Sequence, residues 1–195
     1  EALDATDPLG ALRARFVLPA QGVYLDGNSL GAMPQAVPER LEETLRGAWG
    51  QDLITSWNRH GWIDLPRRCG DALAPLLGAA PGQVLACDSI SVNLFKLLAA
   101  ALELRPGRTR ILSTRDNFPT DLYVGQGLAR HLGAARCRLE LVDREALVAA
   151  VDDDTAVGFA GPGGFRSGAA FGTAAGDAPG RGRRAVLRLG PAPPR

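Results

Sequence analysis

The amino-acid sequence predicts an α/β fold with a mostly parallel sheet and flanking helices. Two observations lead to this class. From residue 83 onward, short apolar runs alternate with amphipathic segments, and turns rich in glycine and proline separate them, as at residues 78–82 and 106–107. Strands that alternate with helices in this way favour parallel pairing through right-handed crossovers.

The individual elements follow from local patterns. Before residue 83, apolar spacing and capping residues predict a short helix at 9–17, a strand at 22–25, and helices at 38–49 and 66–77. The alternating part then consists of a strand at 83–87, a helix at 91–104, a strand at 109–113, a helix at 119–132, a strand at 137–142, a helix at 144–151 and a strand from about residue 155.

Composition excludes several classes of function. The 195 residues are enough for a domain with a core, and 46% of them are hydrophobic. A net charge of +1 offers no basis for binding nucleic acid or an anionic membrane, and two histidines with no paired cysteines predict no metal site. Three widely spaced cysteines fit reduced, mostly buried thiols of a cytoplasmic protein.

The turn after residues 83–87 carries the most informative polar side chains. Ser89 and Ser91 stand where the helix at 91–104 is predicted to begin. The amides and the positive dipole end of a helix N-terminus bind phosphate, and hydroxyl groups add donors. A serine at this place also caps an ordinary helix. The pattern therefore leaves a helix cap and a phosphate site as alternatives.

A second polar loop, residues 115–121, follows the strand at 109–113. Ligands of open parallel sheets bind at the carboxyl ends of the strands. Both loops are predicted to lie at such ends, beside each other.

The composition changes at residue 158, after which Gly, Ala, Pro and Arg dominate. Because glycine and proline are poor residues for a central strand, the strand that begins near 155 is expected to break there. We interpret residues 1–157 as an N-terminal segment with the first part of a large ligand-binding domain. Residues 158–195 are expected to be an aberrant or disordered tail, with some order at 184–189. A disturbed reading frame is favoured over a natural flexible tail.

Four segments occur in a specific order: residues 24–31 (YLDGNSLG), 56–66 (SWNRHGWIDLP), 88–96 (DSISVNLFK) and 117–123 (NFPTDLY). Together they resemble the kynureninases, a family of pyridoxal-phosphate-dependent hydrolases of tryptophan catabolism. The resemblance covers about residues 5–157. It implies the large domain of the fold type I pyridoxal-phosphate enzymes, present in part, and a homodimer.

The resemblance also implies an activity. Family members hydrolyse L-kynurenine or 3-hydroxykynurenine to an anthranilate and L-alanine, a cytoplasmic step of the kynurenine pathway that leads to NAD biosynthesis. The implied cofactor is pyridoxal 5'-phosphate, and the implied partner is a small amino-acid substrate rather than nucleic acid or membrane.

Matching positions carry the family's cofactor contacts over to Ile90, Ser91, Phe118, Pro119, Thr120 and Asp121. Ile90 and Ser91 match the phosphate-binding pair, and Phe118 matches the aromatic residue that lies against the pyridine ring. The local patterns alone favour a core aromatic residue for Phe118 and an acid in the first turn of a helix for Asp121, and the order of the four segments then favours the cofactor contacts.

Three residues match positions near the family's substrate: Asn28, Ser29 and Trp57. Asn28 and Ser29 also suit a plain turn, and Trp57 suits core packing. His60 is expected to be structural, because the sequence shows no orienting partner near it.

No catalytic residue is assigned, because the Schiff-base lysine of the family has no counterpart in this chain. Lys96 is the only lysine, and we expect it to be a solvated or interface residue on a helix. If the tail keeps the family's spacing, the threonine that contacts the phosphate falls near Gly161.

Two functions are therefore predicted. The first is a kynureninase-family polypeptide that has no turnover by itself. The second is a non-catalytic fragment that binds phosphate or a partner chain, since an incomplete sheet leaves an unpaired edge.

Overall fold

A computed structural model describes residues 6–27, 29–161 and 186–189 of the chain. The chain divides into two compact units, Glu1–Leu65 and Pro66–Arg195. The division lies far from residue 158, where the composition of the sequence changes.

The first unit is built from short elements. Strands β1 (Phe16–Val17) and β2 (Met33–Pro34) pair in antiparallel fashion after a 3₁₀ helix at Gly10–Arg15. The helical part consists of α1 (Val37–Glu43), a π-helical stretch (Thr44–Trp49), α2 (Gly50–Asp52), a 3₁₀ turn (Leu53–Thr55), α3 (Ser56–Arg59) and a second 3₁₀ turn (Trp62–Asp64). The predicted helix at 38–49 is thus confirmed, although its second half is π-helical and not α-helical.

The predicted strand at 22–25 is wrong, because these residues form no strand. The Tyr24 hydroxyl instead donates hydrogen bonds to the carbonyl oxygens of Asp26, at 3.0 Å, and Leu30, at 2.6 Å. These bonds close a local turn, which takes the place of strand pairing.

The second unit has an alternating order of elements. They are α4 (Leu65–Leu77), α5 (Ile90–Glu103), β3 (Arg110–Thr114), α6 (Pro119–Leu132), β4 (Arg138–Val142), a 3₁₀ turn (Arg144–Ala146), β5 (Thr155–Ala160) and β6 (Val186–Leu189). The strands form one sheet in the order β4–β3–β5–β6. β3 is parallel to both β4 and β5, whereas β6 is antiparallel to β5. The predicted parallel α/β class is therefore confirmed.

The core of this unit lies between the sheet and helices α5 and α6. It contains Leu94, Leu98, Ala101, Leu102, Ile111, Leu128, Cys137, Ala156, Val157 and Phe159. On α5 the buried leucines recur at helical spacing, which is the periodicity that predicted this helix. Burial of this apolar surface is the main force that holds the helices on the sheet.

The predicted strand at 83–87 is also wrong. The segment packs beside α4, where the Ala86 amide donates to the Pro66 carbonyl oxygen at 3.0 Å. A Cβ atom placed on Gly70 of α4 would lie 2.0 Å from the Val84 carbonyl oxygen. The apolar run therefore contacts a helix instead of joining the sheet, and only glycine permits that approach.

The expected break at Gly158 does not occur. β5 runs from Thr155 to Ala160, and all six residues are buried. A Cβ atom on Gly158 would lie 4.0 Å from the Leu112 Cβ, so the strand lies in ordinary contact with β3. Pairing on both edges and burial on both faces outweigh the poor strand propensity of glycine.

Two further expectations need correction. The predicted helix at 144–151 is a single 3₁₀ turn followed by hydrogen-bonded turns. All three cysteines are free, but Cys69 and Cys87 are exposed and only Cys137 is buried.

In the described ranges, none of the helices has an apolar stretch long enough to cross a membrane.

Candidate functional site

Helix α5 begins at Ile90, directly after the serine-rich turn. Ser89 is its N-cap, and the Ser89 side chain accepts a hydrogen bond from the Val92 amide at 3.4 Å. The cap interpretation is therefore correct for Ser89. The amides of the first helical residues, Ile90 and Ser91, point out of the helix without intrahelical acceptors. They remain suited to an anion, together with the half-buried Ser91 side chain.

Two side chains of α5 hold the turn that precedes it. Asn93 Nδ2 donates to the Cys87 carbonyl oxygen at 2.7 Å, and Lys96 Nζ lies 2.5 Å from Asp88 Oδ2. Asp88 has a φ of +44°, in the left-handed region that costs a non-glycine residue free energy. The two contacts retain this strained conformation, so the start of the helix is shaped before any ligand arrives.

The Asp88 contact also explains Lys96. The hydrogen bond and the charge of Asp88 raise the pKa of the Lys96 amine. A protonated, paired amine is not a nucleophile, which supports the expectation that Lys96 has no catalytic role. In this chain, Lys96 holds the turn through Asp88.

The second predicted segment lies where β3 ends. Phe118 is the N-cap of α6 with an extended backbone, and Pro119 occupies the first helical position. The Phe118 carbonyl oxygen accepts the Asp121 amide at 3.0 Å. Phe118 is 51% exposed, so the core interpretation is wrong and its ring offers a surface for stacking. Thr120 is exposed beside it.

Asp121 is half-buried in the first turn of α6. Burial raises the pKa of the Asp121 carboxyl above its ordinary value of 3.8. Burial therefore disfavours the charged form of this carboxyl, at a place where the family resemblance puts a cofactor contact.

We expect Asp121→Asn to remove a pH-dependent loss of stability. Because the folded-state pKa is raised, the group stabilises the fold at low pH, and this contribution is lost as the pH rises from about 3.8 through the folded-state pKa. The unfolding free energy of the variant, minus that of the wild type, should increase over this interval in urea titrations. A difference that is constant with pH, or that falls, would contradict the expectation.

A buried asparagine that was not among the predicted site residues connects the segment to the sheet. Asn117 is 4% exposed, and its Oδ1 accepts hydrogen bonds from the amides of Phe118, at 2.9 Å, and Gly161, at 3.1 Å. The sequence motif contains Asn117, but only the fold reveals that Gly161 follows the neighbouring strand β5 at the same edge.

Arg144 is a second residue that sequence reasoning missed. Its Nε donates to Asp116 Oδ2 at 2.7 Å, and its Nη1 donates to the Gly161 carbonyl oxygen at 3.3 Å. The Arg144 hydrogen bond holds the pKa of the Asp116 carboxyl below its ordinary value. The loops that follow β3, β4 and β5 are thus joined at the carboxyl edge of the sheet.

The predicted substrate residues that the structure describes, Ser29 and Trp57, belong to the first unit. Asn28 falls outside the described residues. Ser29 belongs to the first unit, where its hydroxyl donates to Asp26 Oδ1 at 2.8 Å in a turn. Trp57, in the same unit, is 48% exposed, so core packing does not account for it.

His60 has an orienting partner that the sequence did not reveal. Its Nε2 lies 2.7 Å from Asp52 Oδ2, and Arg59 also bonds to this carboxylate. These contacts lower the pKa of Asp52, the His60 hydrogen bond most of all. The chain reverses at Leu53, which has a φ of +46°, and spacing alone gives no signal for this reversal.

Known proteins support the resemblance. The chain is 54% identical over 161 residues to "Kynureninase" of Burkholderia pseudomallei (strain 1106a), a match that covers 80% of this chain and 38% of that protein. It is 56% identical over 143 residues to "Kynureninase" of Deinococcus radiodurans, covering 71% of this chain and 35% of that protein. No protein-family model matches the chain.

The chain spans less than two fifths of the length of these relatives. Its three parallel strands and flanking helices fit part of a fold type I large domain. The chain is thus a homologue of the kynureninases, and its similarity to them extends over most of its own length.

Proposed function

We propose that this chain provides the phosphate- and ring-binding part of a kynureninase-like hydrolase that uses pyridoxal 5'-phosphate. The observation that carries the proposal is the pair of helix starts, Ile90-Ser91 and Phe118-Pro119, on two helices that pack against each other. One start suits a dianion, and the other presents an aromatic face. The proposed substrate is L-kynurenine or 3-hydroxykynurenine, and the products are an anthranilate and L-alanine.

The residues present fit the cofactor by their donor chemistry. The amides of Ile90 and Ser91 and the Ser91 hydroxyl are donors for a phosphate group at the N-terminus of a 14-residue helix. The half-exposed Phe118 ring suits a flat heteroaromatic ring, and Thr120 and Asp121 supply polar groups beside it. When bound, the cofactor supplies an electron sink for carbanion chemistry. Asn28, Ser29 and Trp57 are the proposed substrate contacts.

Binding can be measured without any covalent step by using pyridoxine 5'-phosphate, which carries the ring and the phosphate but no aldehyde. We expect it to bind the chain more tightly than inorganic phosphate in NMR titrations. Ser91→Ala should weaken both ligands by about tenfold, since it removes a hydrogen bond to a charged group. Phe118→Ala should weaken only pyridoxine 5'-phosphate, by about threefold to tenfold.

The same experiment separates the two proposed functions. Equal affinity for pyridoxine 5'-phosphate and inorganic phosphate, unaffected by Phe118→Ala, would favour a phosphate-binding fragment and contradict the ring site.

We also expect no anthranilate release from kynurenine with added pyridoxal 5'-phosphate, because the only lysine is held by Asp88. Steady-state release by the chain alone would overturn that part of the proposal.

A partner chain is the second candidate, and exposed apolar side chains in the first unit favour it. Leu25 is 86% exposed, Val23 83% and Ile54 77%. Where such side chains form a contiguous patch, the patch is typical of a surface that another chain covers. We propose a second copy of this chain as that partner, in line with the homodimer that the resemblance implies.

The proposed location is the cytoplasm, where cysteines remain reduced, and the three free thiols fit it.

A further inference from the structure

We propose that Asn117 is a positioning residue, whose side chain holds Phe118 and Gly161 in place at the carboxyl edge of the sheet. The consequence for ligand binding rests on the proposed function, because Phe118 is the proposed stacking partner of the ring. The positioning itself rests only on the contacts of the Asn117 amide group.

One oxygen of Asn117 joins two separate parts of the chain. Oδ1 accepts the Phe118 amide at 2.9 Å and the Gly161 amide at 3.1 Å. These residues follow the ends of β3 and β5, which are neighbours in the sheet but lie more than 40 positions apart in the sequence. The backbone amide of Asn117 also donates to the Thr114 carbonyl oxygen at 3.1 Å, which closes the loop between β3 and Asn117.

The other end of the side chain determines which residue type fits. The Ser113 hydroxyl donates to the Phe159 carbonyl oxygen at 2.9 Å, so its oxygen accepts from Asn117 Nδ2 at 3.1 Å. The site thus needs one acceptor and one donor on the same planar group, which asparagine supplies. An aspartate would bury a charge and would have no proton to donate to the serine oxygen, and an alanine would leave the Phe118 and Gly161 amides without this acceptor.

A second contact holds Gly161 from its other side. Arg144 Nη1 donates to the Gly161 carbonyl oxygen at 3.3 Å. Both polar groups at this residue are therefore bonded, its amide to Asn117 and its carbonyl oxygen to Arg144. The Phe118 backbone is held in the same way, by Asn117 at its amide and by Asp121 at its carbonyl oxygen. The ring of Phe118 projects from a backbone that is ordered before ligand binding.

The first test measures amide hydrogen exchange in the 195-residue chain by NMR. In Asn117→Ala, we expect the Phe118 and Gly161 amides to exchange at least about tenfold faster relative to the buried amides of Leu112 and Val157. The matched control is Thr155→Val, which removes a buried hydroxyl that is bonded to Asp152 and Arg110 at the opposite edge of the sheet. It should change exchange at all four positions by a similar factor.

If Asn117→Ala does not fold, Ser113→Ala provides the second variant. It removes the acceptor of Asn117 Nδ2 and should accelerate exchange at Phe118 and Gly161 by a smaller factor, again without a matching change at Leu112 and Val157. Exchange that rises equally at all four amides would show a merely structural role and overturn the proposal.

The second test uses the ring signals of bound pyridoxine 5'-phosphate. With the wild type and with Thr155→Val, the aromatic ring of Phe118 should shift the ligand's ring proton upfield. At saturation with Asn117→Ala, this shift should fall by at least half. An unchanged shift would overturn the positioning role and leave the proposed function intact. If the ligand does not bind the wild type at all, the proposed function fails, and the exchange measurement alone decides the role of Asn117.

Discussion

Gly70→Ala is expected to lower the free energy of unfolding of the second unit by at least about 2 kcal/mol, near the upper end for forcing an extra carbon into a packed site. The new Cβ would lie 2.0 Å from the Val84 carbonyl oxygen and 2.5 Å from its carbonyl carbon. Both are backbone atoms, so α4 and the segment at 83–87 must separate. No side chain can move aside to relieve the contact.

Gly127→Ala is the matched control, since Gly127 also lies inside a helix, α6, and a Cβ there meets nothing within 4 Å. It should raise stability by about 0.5–1 kcal/mol, because alanine is the better helix former. Urea unfolding followed by circular dichroism suits the comparison. Tryptophan fluorescence does not, because Trp49, Trp57 and Trp62 all lie in the first unit. Equal effects of the two substitutions would show that α4 does not approach Val84.

Phe159→Ala should cost about 3–5 kcal/mol, the usual loss for a fully buried phenylalanine. Its side chain is 1% exposed and belongs to the core cluster between α5, α6 and the sheet. A Cβ on Gly125 of α6 would lie 3.7 Å from the end of the Phe159 ring, an ordinary van der Waals distance, so the ring packs directly against this helix. Truncation would leave a cavity in that place.

This substitution also decides where β5 ends. If the strand broke at Gly158, as its composition predicts, Phe159 would be an exposed tail residue and the change would cost less than about 0.5 kcal/mol. Phe95→Ala, on the surface of α5, serves as the control with the same chemistry and a small expected loss. A loss for Phe159→Ala no larger than that for Phe95→Ala would restore the predicted break.

The accuracy of the sequence predictions followed the physics of each element. Helices α5 and α6 were located to within a residue, because leucine spacing and the Phe118-Pro119 start are local signals. The segment at 83–87 and residues 158–160 were misassigned, because strand formation depends on which neighbour is available. Val84 meets α4, whereas Gly158 lies between β3 and β6.

The candidate site divides in the same way. Ile90, Ser91 and Phe118–Asp121 were predicted as cofactor contacts from contiguous motifs, and the structure places them at two helix starts. Asn117, Arg144 and Asp52 were not assigned, since each acts through a partner that is distant in sequence or lies beyond a chain reversal. The structure also places Ser29 and Trp57 in a different compact unit from Phe118.

The sequence by itself determined the parallel α/β class, the relation to the kynureninases, and the absence of any lysine but Lys96, because these depend on local periodicity, motif order and composition. Only the tertiary structure decided that Lys96 pairs with Asp88, that Phe118 is exposed, and that Asn117 joins the ends of β3 and β5. Those outcomes depend on which groups folding brings within hydrogen-bond distance, and a linear pattern of residues does not specify such distances.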